Sequence, residues 1–562
     1  CSKKEEQTRK RMSFFDEMMS YYENKFYILI SILLITSFTH LWNSIGFPTV
    51  HVDEGTYMFR AMHFLITGVT DWHISFYDHP YFGPVLLASI LKIIDFPSII
   101  GPEVQNYSSI YSSYTIPRII MGIFAIIDTL LIYVITKIRY GRKAAIISTL
   151  LFSVMPFTWA LRRIYLESLL LPLVLSSILI VVYLNSLNSL KPKISWILIL
   201  LSGILMGLAI FTKAPLVAML PLLIFYVYKY NRKISQTALF VAPVIIITLI
   251  WPLDALIKGE IDLWMLGITS QIERQNDSIL NSLYDIFLVD PIILTLGLVG
   301  LIFAIIKKDI FLILGIIPFV IFFTFFISYV NWFYLIPIFG FLCISSGVLF
   351  EWLIRYFSKY KAVTILIPVI VIVFGGFSTF ALISTNVSSF QFEAMSYLNS
   401  ILLGNPEHQT RTENMYNNQT DISNDVLQYD EIQNEANFDN EWTPNKSTVI
   451  IASPIYSWVY KFMYQYENTF YSYSENKDIK NASTVILVLD RYFRDYLTNN
   501  AESRNNSWNQ NLATSEKLYT AFTGLNTSKY FTGNSKNYDF YQYPYTSMRF
   551  NLGGSPIEMR SN

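Results

Sequence analysis

The chain has 562 residues, 53% of them hydrophobic and 15% charged, with a mean hydropathy of +0.39 and a formal net charge of +0. That is too apolar for an ordinary soluble protein and fits a multi-span membrane protein with a sizeable soluble part. Neutrality excludes the basic footprint of a nucleic-acid binder, and two cysteines, Cys1 and Cys343, make no disulfide framework.

A basic start (Lys3, Lys4, Arg9, Lys10, Arg11) precedes "FYILISILLITSFTHLW", residues 26–42. The run is long for a signal-peptide core and no small-residue cleavage site follows, so it reads as an uncleaved first span with residues 1–25 on the cytoplasmic side. Further apolar runs of bilayer length recur to about Ile383. Basic clusters lie between them, at Lys137/Arg139/Arg142/Lys143, Lys191/Lys193, Lys229/Arg232/Lys233, Lys307/Lys308 and Arg355/Lys359/Lys361. The positive-inside rule puts every cluster on the cytoplasmic face. This excludes a crossing at 81–97, whose apolar run is broken by Lys92 and Asp95. Residues 43–114 become one outer loop with surface helices at 54–67 and 82–95. Ten more spans are expected near 115–136, 144–160, 164–185, 195–212, 214–228, 235–252, 290–306, 309–328, 332–353 and 362–383. The total is about 11, and the membrane domain covers 26–384.

Beyond it, residues 385–446 are polar and Asn-rich and read as a flexible insert. Residues 447–562 form an extracytoplasmic soluble domain, because "STVIIAS" (447–453), "YSWVYKFMYQ" (456–465) and "STVILVLD" (483–490) give strand, helix and strand. No element is assigned to 500–562.

The outer face gathers polar residues that are costly near a bilayer and therefore point to function. They are Asp53 and Glu54 of "HVDEGTYMFR", then "FYDHPYFGP" (76–84), Arg118, "LRRIYLES" (161–168), "FTKAPL" (211–216), "QIERQ" (271–275) and "NWFYLIP" (331–337). Carboxylates beside cations suit removal of a proton from an acceptor hydroxyl while charge on a departing phosphate is neutralised. Glu54 has a second reading, as a helix-start carboxylate favoured by the dipole. Asp128, in the middle of an apolar run, is expected to face the bundle and hydrogen-bond a neighbouring helix.

In order, "DE", "Y-D-H-P", "R-x-Y-x-E", "G-L-A-I-F-T-K" and "Y-L-I-P" resemble the GT-C membrane glycosyltransferases. The closest groups are the protein O-mannosyltransferase-like and aminoarabinose (lipid A) transferase-like families. The resemblance implies a GT-C fold with an outer-face active site. It also implies a polyprenyl- or dolichyl-phosphate sugar donor and a protein, glycan or lipid acceptor. Matched motif by motif, Asp53 is the general base and Glu54 its neighbour in the catalytic pair. Arg274, Lys213, Arg163 and Arg162 bind the donor phosphate, and Asp78, His79 and Tyr334 bind substrate. Aminoarabinose transferases carry a metal-binding His three residues before the Arg of the later loop. Here Gln271 stands there, against a metal of that design, while Asp78 and His79, with His73, remain candidates for a different divalent-metal site. The expected place is the cell membrane, multi-pass, with the N-terminus cytoplasmic and the C-terminal domain outside. The rival readings are a lipid or sugar flippase, which needs midplane polar groups and broken helices, and a non-enzymatic anchor for the outer domain. An oligosaccharide-transferring relative is a further alternative, but no "WWDYG"-like acceptor motif is present.

Overall fold

The computed structural model describes residues 27–70, 77–100, 107–187, 191–272, 278–327, 330–403, 448–464, 469–470, 484–490, 526–531 and 557–561. The expected cytoplasmic segment 1–25, His73, Arg274 and residues 404–446 lie outside that set.

The chain is a multi-pass α-helical membrane protein. Among the described residues, seven helices are long and apolar enough to cross a bilayer. They are α4 (Tyr107–Tyr140), α6 (Leu166–Ser186), α7 (Pro192–Thr212), α8 (Leu220–Asn231, with the 3₁₀ turn Ala214–Met219), α9 (Ile234–Lys258), α14 (Ile336–Tyr356) and α15 (Lys361–Ile383). An eighth, α5 (Arg142–Val154), bends by 67° into the 3₁₀ turn Pro156–Arg162. That turn carries Arg162 to the outer end of the bundle. Shorter apolar helices, α1 (Tyr27–Leu41), α12 (Pro291–Ile306) and α13 (Ile310–Phe325), complete the expected set one for one.

Packing follows from small residues. Gly203 and Gly207 of α7, four apart, meet the backbone of α9 so closely that a Cβ on Gly203 would lie 2.3 Å from the Phe240 carbonyl oxygen. Without a hydrophobic drive between helices in lipid, such close approach is what holds them together. Asp128 faces the bundle, as expected, but neither carboxylate oxygen has a hydrogen-bond partner among the described residues. At the end of the bundle opposite the 43–114 loop, Arg139 of α4 lies 3.7 Å from Asp309 before α13.

The end of the bundle that carries the 43–114 loop is more ordered than the sequence implies. Helices α2 (Val52–Thr67) and α3 (Phe82–Ile93) stand at the two sites expected in the 43–114 loop. Two further helices, α10 (Ile261–Ile272) and α11 (Ile279–Val289), occupy the later loop. Residues 389–403, expected to begin the flexible insert, form α16 (Ser389–Leu403) instead. Its Phe390, Phe392, Met395, Leu398 and Leu402 are buried, so apolar burial rather than polar composition decides its state. The C-terminal domain holds a five-stranded sheet in the order β2-β1-β3-β5-β4. Strands β1 (Thr448–Ala452), β2 (Thr469–Phe470) and β3 (Thr484–Leu489) are parallel. Strands β4 (Asn526–Phe531) and β5 (Ile557–Ser561), from the stretch the sequence left unassigned, close the sheet in antiparallel pairing. A short helix, α17 (Pro454–Trp458), and one π turn (Val459–Met463) follow β1.

Candidate active site

The site is built around the first turn of α2. His51 caps it: its Nδ1 accepts the Asp53 N–H at 3.3 Å, and its own N–H donates to Glu54 Oε1 at 2.9 Å. This reciprocal box satisfies helix-end donors that would otherwise lie bare near the membrane. Desolvation lowers the His51 pKa below its ordinary value despite the nearby Asp53 charge, so the ring is neutral at pH 7. Its 4.0 Å approach to Asp53 Oδ2 is therefore not an ion pair at that pH.

Asp53 and Glu54 have opposite surroundings. Glu54 is fully buried and both its oxygens are engaged. Arg118 donates to it from Nε at 2.9 Å and from Nη2 at 2.8 Å, and Ile164 N–H adds a 3.2 Å bond. Arg163 Nη1 stands 3.6 Å away. Burial pushes the Glu54 pKa up, but the two guanidiniums outweigh it and hold the carboxyl below its usual range. The Asp53 side chain keeps 30% of its surface exposed. The structure thus gives Glu54 a fixing role and leaves Asp53 as the member of the pair with an open carboxylate.

The loop leading into α2 is wrapped on arginines. Arg118 Nη1 also binds the carbonyls of Ser44 (3.0 Å) and Pro48 (2.8 Å), while Arg162 Nη2 binds that of Trp42. From the other side, Asn43 Nδ2 donates to the Ile383 and Thr385 carbonyls at 2.7 and 2.9 Å. The Gln391 amide pairs with both backbone groups of Val50.

Along α2, Tyr57 and Arg60 follow Asp53 at helical spacing and face the same side. Arg60 Nη2 lies 2.9 Å from both oxygens of Asp78. His79 Nδ1 approaches Asp78 Oδ2 at 3.1 Å. Burial raises the Asp78 pKa, but Arg60 and then His79 reverse this and leave it far below its usual range. Burial likewise lifts the Tyr57 phenol well above its ordinary value, helped by the charges of Asp53 and Glu167 and opposed by Arg60. That coupling joins α2 to the "R-x-Y-x-E" and "T-K" motifs, because Glu167 is ion-paired with Lys213. The Lys213 ammonium also sits 3.7 Å from the Tyr334 ring centre. Glu167, Lys213 and Tyr334 form the polar end of a cleft whose apolar walls include Leu170, Phe319 and Phe323.

The two neighbouring arginines part company. Arg163 lies over the rings of Trp159 (5.2 Å) and Tyr165 (5.7 Å), beside Glu54. Arg162 is fully enclosed against the Trp42 carbonyl, and its Nε and Nη1 have no hydrogen-bond partner among the described residues. Sequence reasoning did not assign roles to Tyr57, Arg60, Arg118 or Glu167. The spacing 53, 57, 60 within "HVDEGTYMFR" is the signal that exposes the first two, since it repeats at one face of a helix. As for a metal, Asp78 is already neutralised by Arg60, and no group of three or more His, Cys, Asp or Glu converges among the described residues. His73, the third candidate ligand, lies outside the described residues.

Three comparisons bear on this arrangement. The family model described as dolichyl-phosphate-mannose-protein mannosyltransferase matches residues 111–254. No curated protein sequence matches the chain. Among solved structures, the oligosaccharyltransferase AglB of Archaeoglobus fulgidus with an inhibitory peptide and a dolichol-phosphate aligns with a TM-score of 0.52 at 11% identity. It covers 88% of this chain and 72% of that one. The same enzyme with zinc and sulfate gives 0.51 at 12% identity, with coverages of 90% and 72%. Apo ArnT of Cupriavidus metallidurans gives 0.45 at 16% identity, and the chain spans 62% of its length and 60% of its own. The chain thus shares the overall fold of the AglB structures, and its residues 111–254 match the mannosyltransferase family model.

Proposed function

We propose that the protein transfers a sugar from a polyprenyl- or dolichyl-phosphate donor to an acceptor on the outer face of the cell membrane. Asp53 takes the proton of the acceptor hydroxyl as its oxygen attacks the anomeric carbon. The bond from that carbon to the phosphate oxygen breaks, the lipid phosphate leaves with the electron pair, and the anomeric configuration inverts. Lys213 and Arg163, with Arg274, hold the phosphate, for which Lys213 exchanges its Glu167 partner. Such cations act on charge that grows in the transition state. Arg60 and Asp78 with His79 border the sugar. The protein needs chiefly to align the reactants, since a lipid phosphate is already a fair leaving group.

The observation that carries this reading is the division of labour within the acidic pair. Glu54 is saturated by Arg118, whereas Asp53 keeps an open carboxylate, and the Tyr57 phenol feels the charges of both Asp53 and Glu167, which with Lys213 lines an otherwise largely apolar cleft. The family description and the dolichol-phosphate held by AglB are consistent with a lipid-linked donor. A flippase fits less well, because the buried ion pairs, Glu54–Arg118 and Lys213–Glu167, lie at one end of the bundle.

The test is Asp53→Asn, which is nearly isosteric but a poor proton acceptor. Purified variants are assayed for radiolabelled sugar transfer from a panel of polyprenyl-phosphate sugars, with donor binding measured directly. Transfer should fall at least ~10²-fold while donor binding persists. Near-normal turnover would reduce the acidic pair to a structural helix start.

A further inference from the structure

The outer domain contributes no group to the proposed chemistry, yet it grips the helix that carries the base. Gly55 lies two residues after Asp53. A Cβ there would sit 2.4 Å from Ile455 N and from Pro454 C, and 2.5 Å from Pro454 O. These are backbone atoms, which cannot rotate away. One helical turn further, Phe59 packs edge-on against Phe462 with ring centres 4.9 Å apart. Behind this contact, the Tyr114 hydroxyl of α4 donates to the Ile455 carbonyl at 2.7 Å and accepts the Trp458 indole N–H at 2.7 Å. Tyr114 and Trp458 are both completely buried.

The position of this contact in the sheet adds to its meaning. The chain leaves β1 toward β2 on one side, then returns to form β3 on the other. The carboxyl end of β1 is thus a topological switch point, the place where open α/β sheets hold their ligands. Ser453, which ends β1, donates to Asp490, which ends β3, at 2.5 Å. The segment issuing from that point, 454–463, lies directly on the first turns of α2. In place of a small molecule, this edge holds a piece of its own membrane domain.

We propose that segment 453–463 of the outer domain is a positioning element for Asp53: it fixes the first turn of α2 through Gly55, Phe59 and the Tyr114–Trp458 pair. The inference rests on Asp53 acting as the base. A reactant shifted by an ångström costs transfer rate rather than donor affinity, because the donor is held by cations on other helices.

The experiment uses full-length protein in detergent or nanodiscs, with Gly55→Ala as the strong perturbation and Trp458→Phe as the mild one. Three quantities are read: amide hydrogen exchange across residues 52–59, direct donor binding, and kcat for transfer. In both variants exchange should speed up in that stretch and kcat should fall on the order of 10–10²-fold, with donor affinity unchanged. A short thiol cross-link between Phe59→Cys and Phe462→Cys, in a chain with Cys1→Ser, should restore kcat to Trp458→Phe. Native exchange in both variants, faster exchange with unchanged kcat, or inactivation of the wild-type background by the cross-link would each overturn the proposal. Failure of the base assignment reads out separately. If Asp53→Asn turns over normally, that assignment falls, while the exchange arm alone still decides whether the outer segment holds α2.

Discussion

The two ends of the helical bundle handle charge in opposite ways. At the outer end, Glu54 and Arg118 are ion-paired with no exposed side-chain surface, and Lys213 and Glu167 are exposed by only 6% and 1%. At the inner end, Arg139 and Asp309 are exposed by 32% and 16%, and Arg355, paired with Glu351, by 66%. Both ends are rich in Lys and Arg, but for different reasons. The charges at the Arg139 end, which the positive-inside rule would place in the cytoplasm, remain solvated. The outer ones have been taken out of water, which is costly unless partners and geometry offset it. Burial of charge, rather than its presence, therefore distinguishes the end that carries the proposed site.

The largest break in this contrast should come from Glu54→Gln. It leaves Arg118 and Arg163 without their carboxylate in a closed site, and losing one partner of a buried pair costs about 3–5 kcal/mol. Thermal unfolding of the purified variant should show that loss, while Asp53→Asn should unfold like wild type. The pH dependence adds a signed check. The folded Glu54 pKa lies below its ordinary value, so the unfolded chain binds that proton first. The stabilisation is complete above the ordinary glutamate value of about 4.3 and is lost as pH falls through the lowered folded value. The stability gap between wild type and Glu54→Gln should hold steady from pH 7 to about 5 and narrow only below that. A gap that closes already near neutrality would remove Glu54 from its paired role.

Next in size are the proposed phosphate cations. Lys213→Ala and Arg274→Ala should each weaken donor use by about 1.5–3 kcal/mol, as expected for a lost charge-assisted contact. Acceptor saturation should change less. For Lys213 the effect has two sources, because its removal also strands buried Glu167. The double variant Lys213→Ala/Glu167→Gln separates them by regaining stability without regaining donor affinity. Unchanged donor saturation in both single variants would assign these cations to lipid headgroups.

Much of the membrane fold was legible because apolar runs and basic clusters are local signals. The surface helices expected at 54–67 and 82–95 appear as Val52–Thr67 and Phe82–Ile93 for that reason. What stayed hidden depends on contacts distant in sequence. Helix α16 reads as polar linker until Gln391 is seen to bind Val50 and Ser388 to bind the Ile45 carbonyl. Strands β4 and β5 lie in a polar, Tyr-rich stretch; β5 is ordered by pairing with β3, and β4 by pairing with β5. Within the site, the resemblance ranked Asp53 above Glu54, but the physical difference between them depends on Arg118, 64 residues away, which sits on Glu54. Arg162 and Arg163 look equivalent as a dipeptide, but a 3₁₀ turn ends between them and sends one toward Trp42 and the other toward Glu54.

The smallest expected effect lies at the inner end, and it sharpens the comparison by being small. Arg139→Ala removes a guanidinium 3.7 Å from Asp309 and 5.6 Å from the centre of the Tyr226 ring. Asp309 keeps a second task without it, since its Oδ1 accepts the Phe311 N–H at 3.1 Å at the start of α13. Water can reach both members of the pair, so neither is stranded when the other is removed. Exposed pairs of this kind contribute about 0.2–1 kcal/mol. The variant should lose no more than that in thermal unfolding and transfer sugar at the wild-type rate. The deficit should also shrink in high salt, which screens exposed charges but hardly reaches buried ones. Running Arg139→Ala and Arg118→Ala together in low and high salt makes the contrast direct. A salt-insensitive loss at Arg139 as large as that at Arg118 would mean that the inner end is as tightly built as the outer one, and that burial of charge does not mark the site.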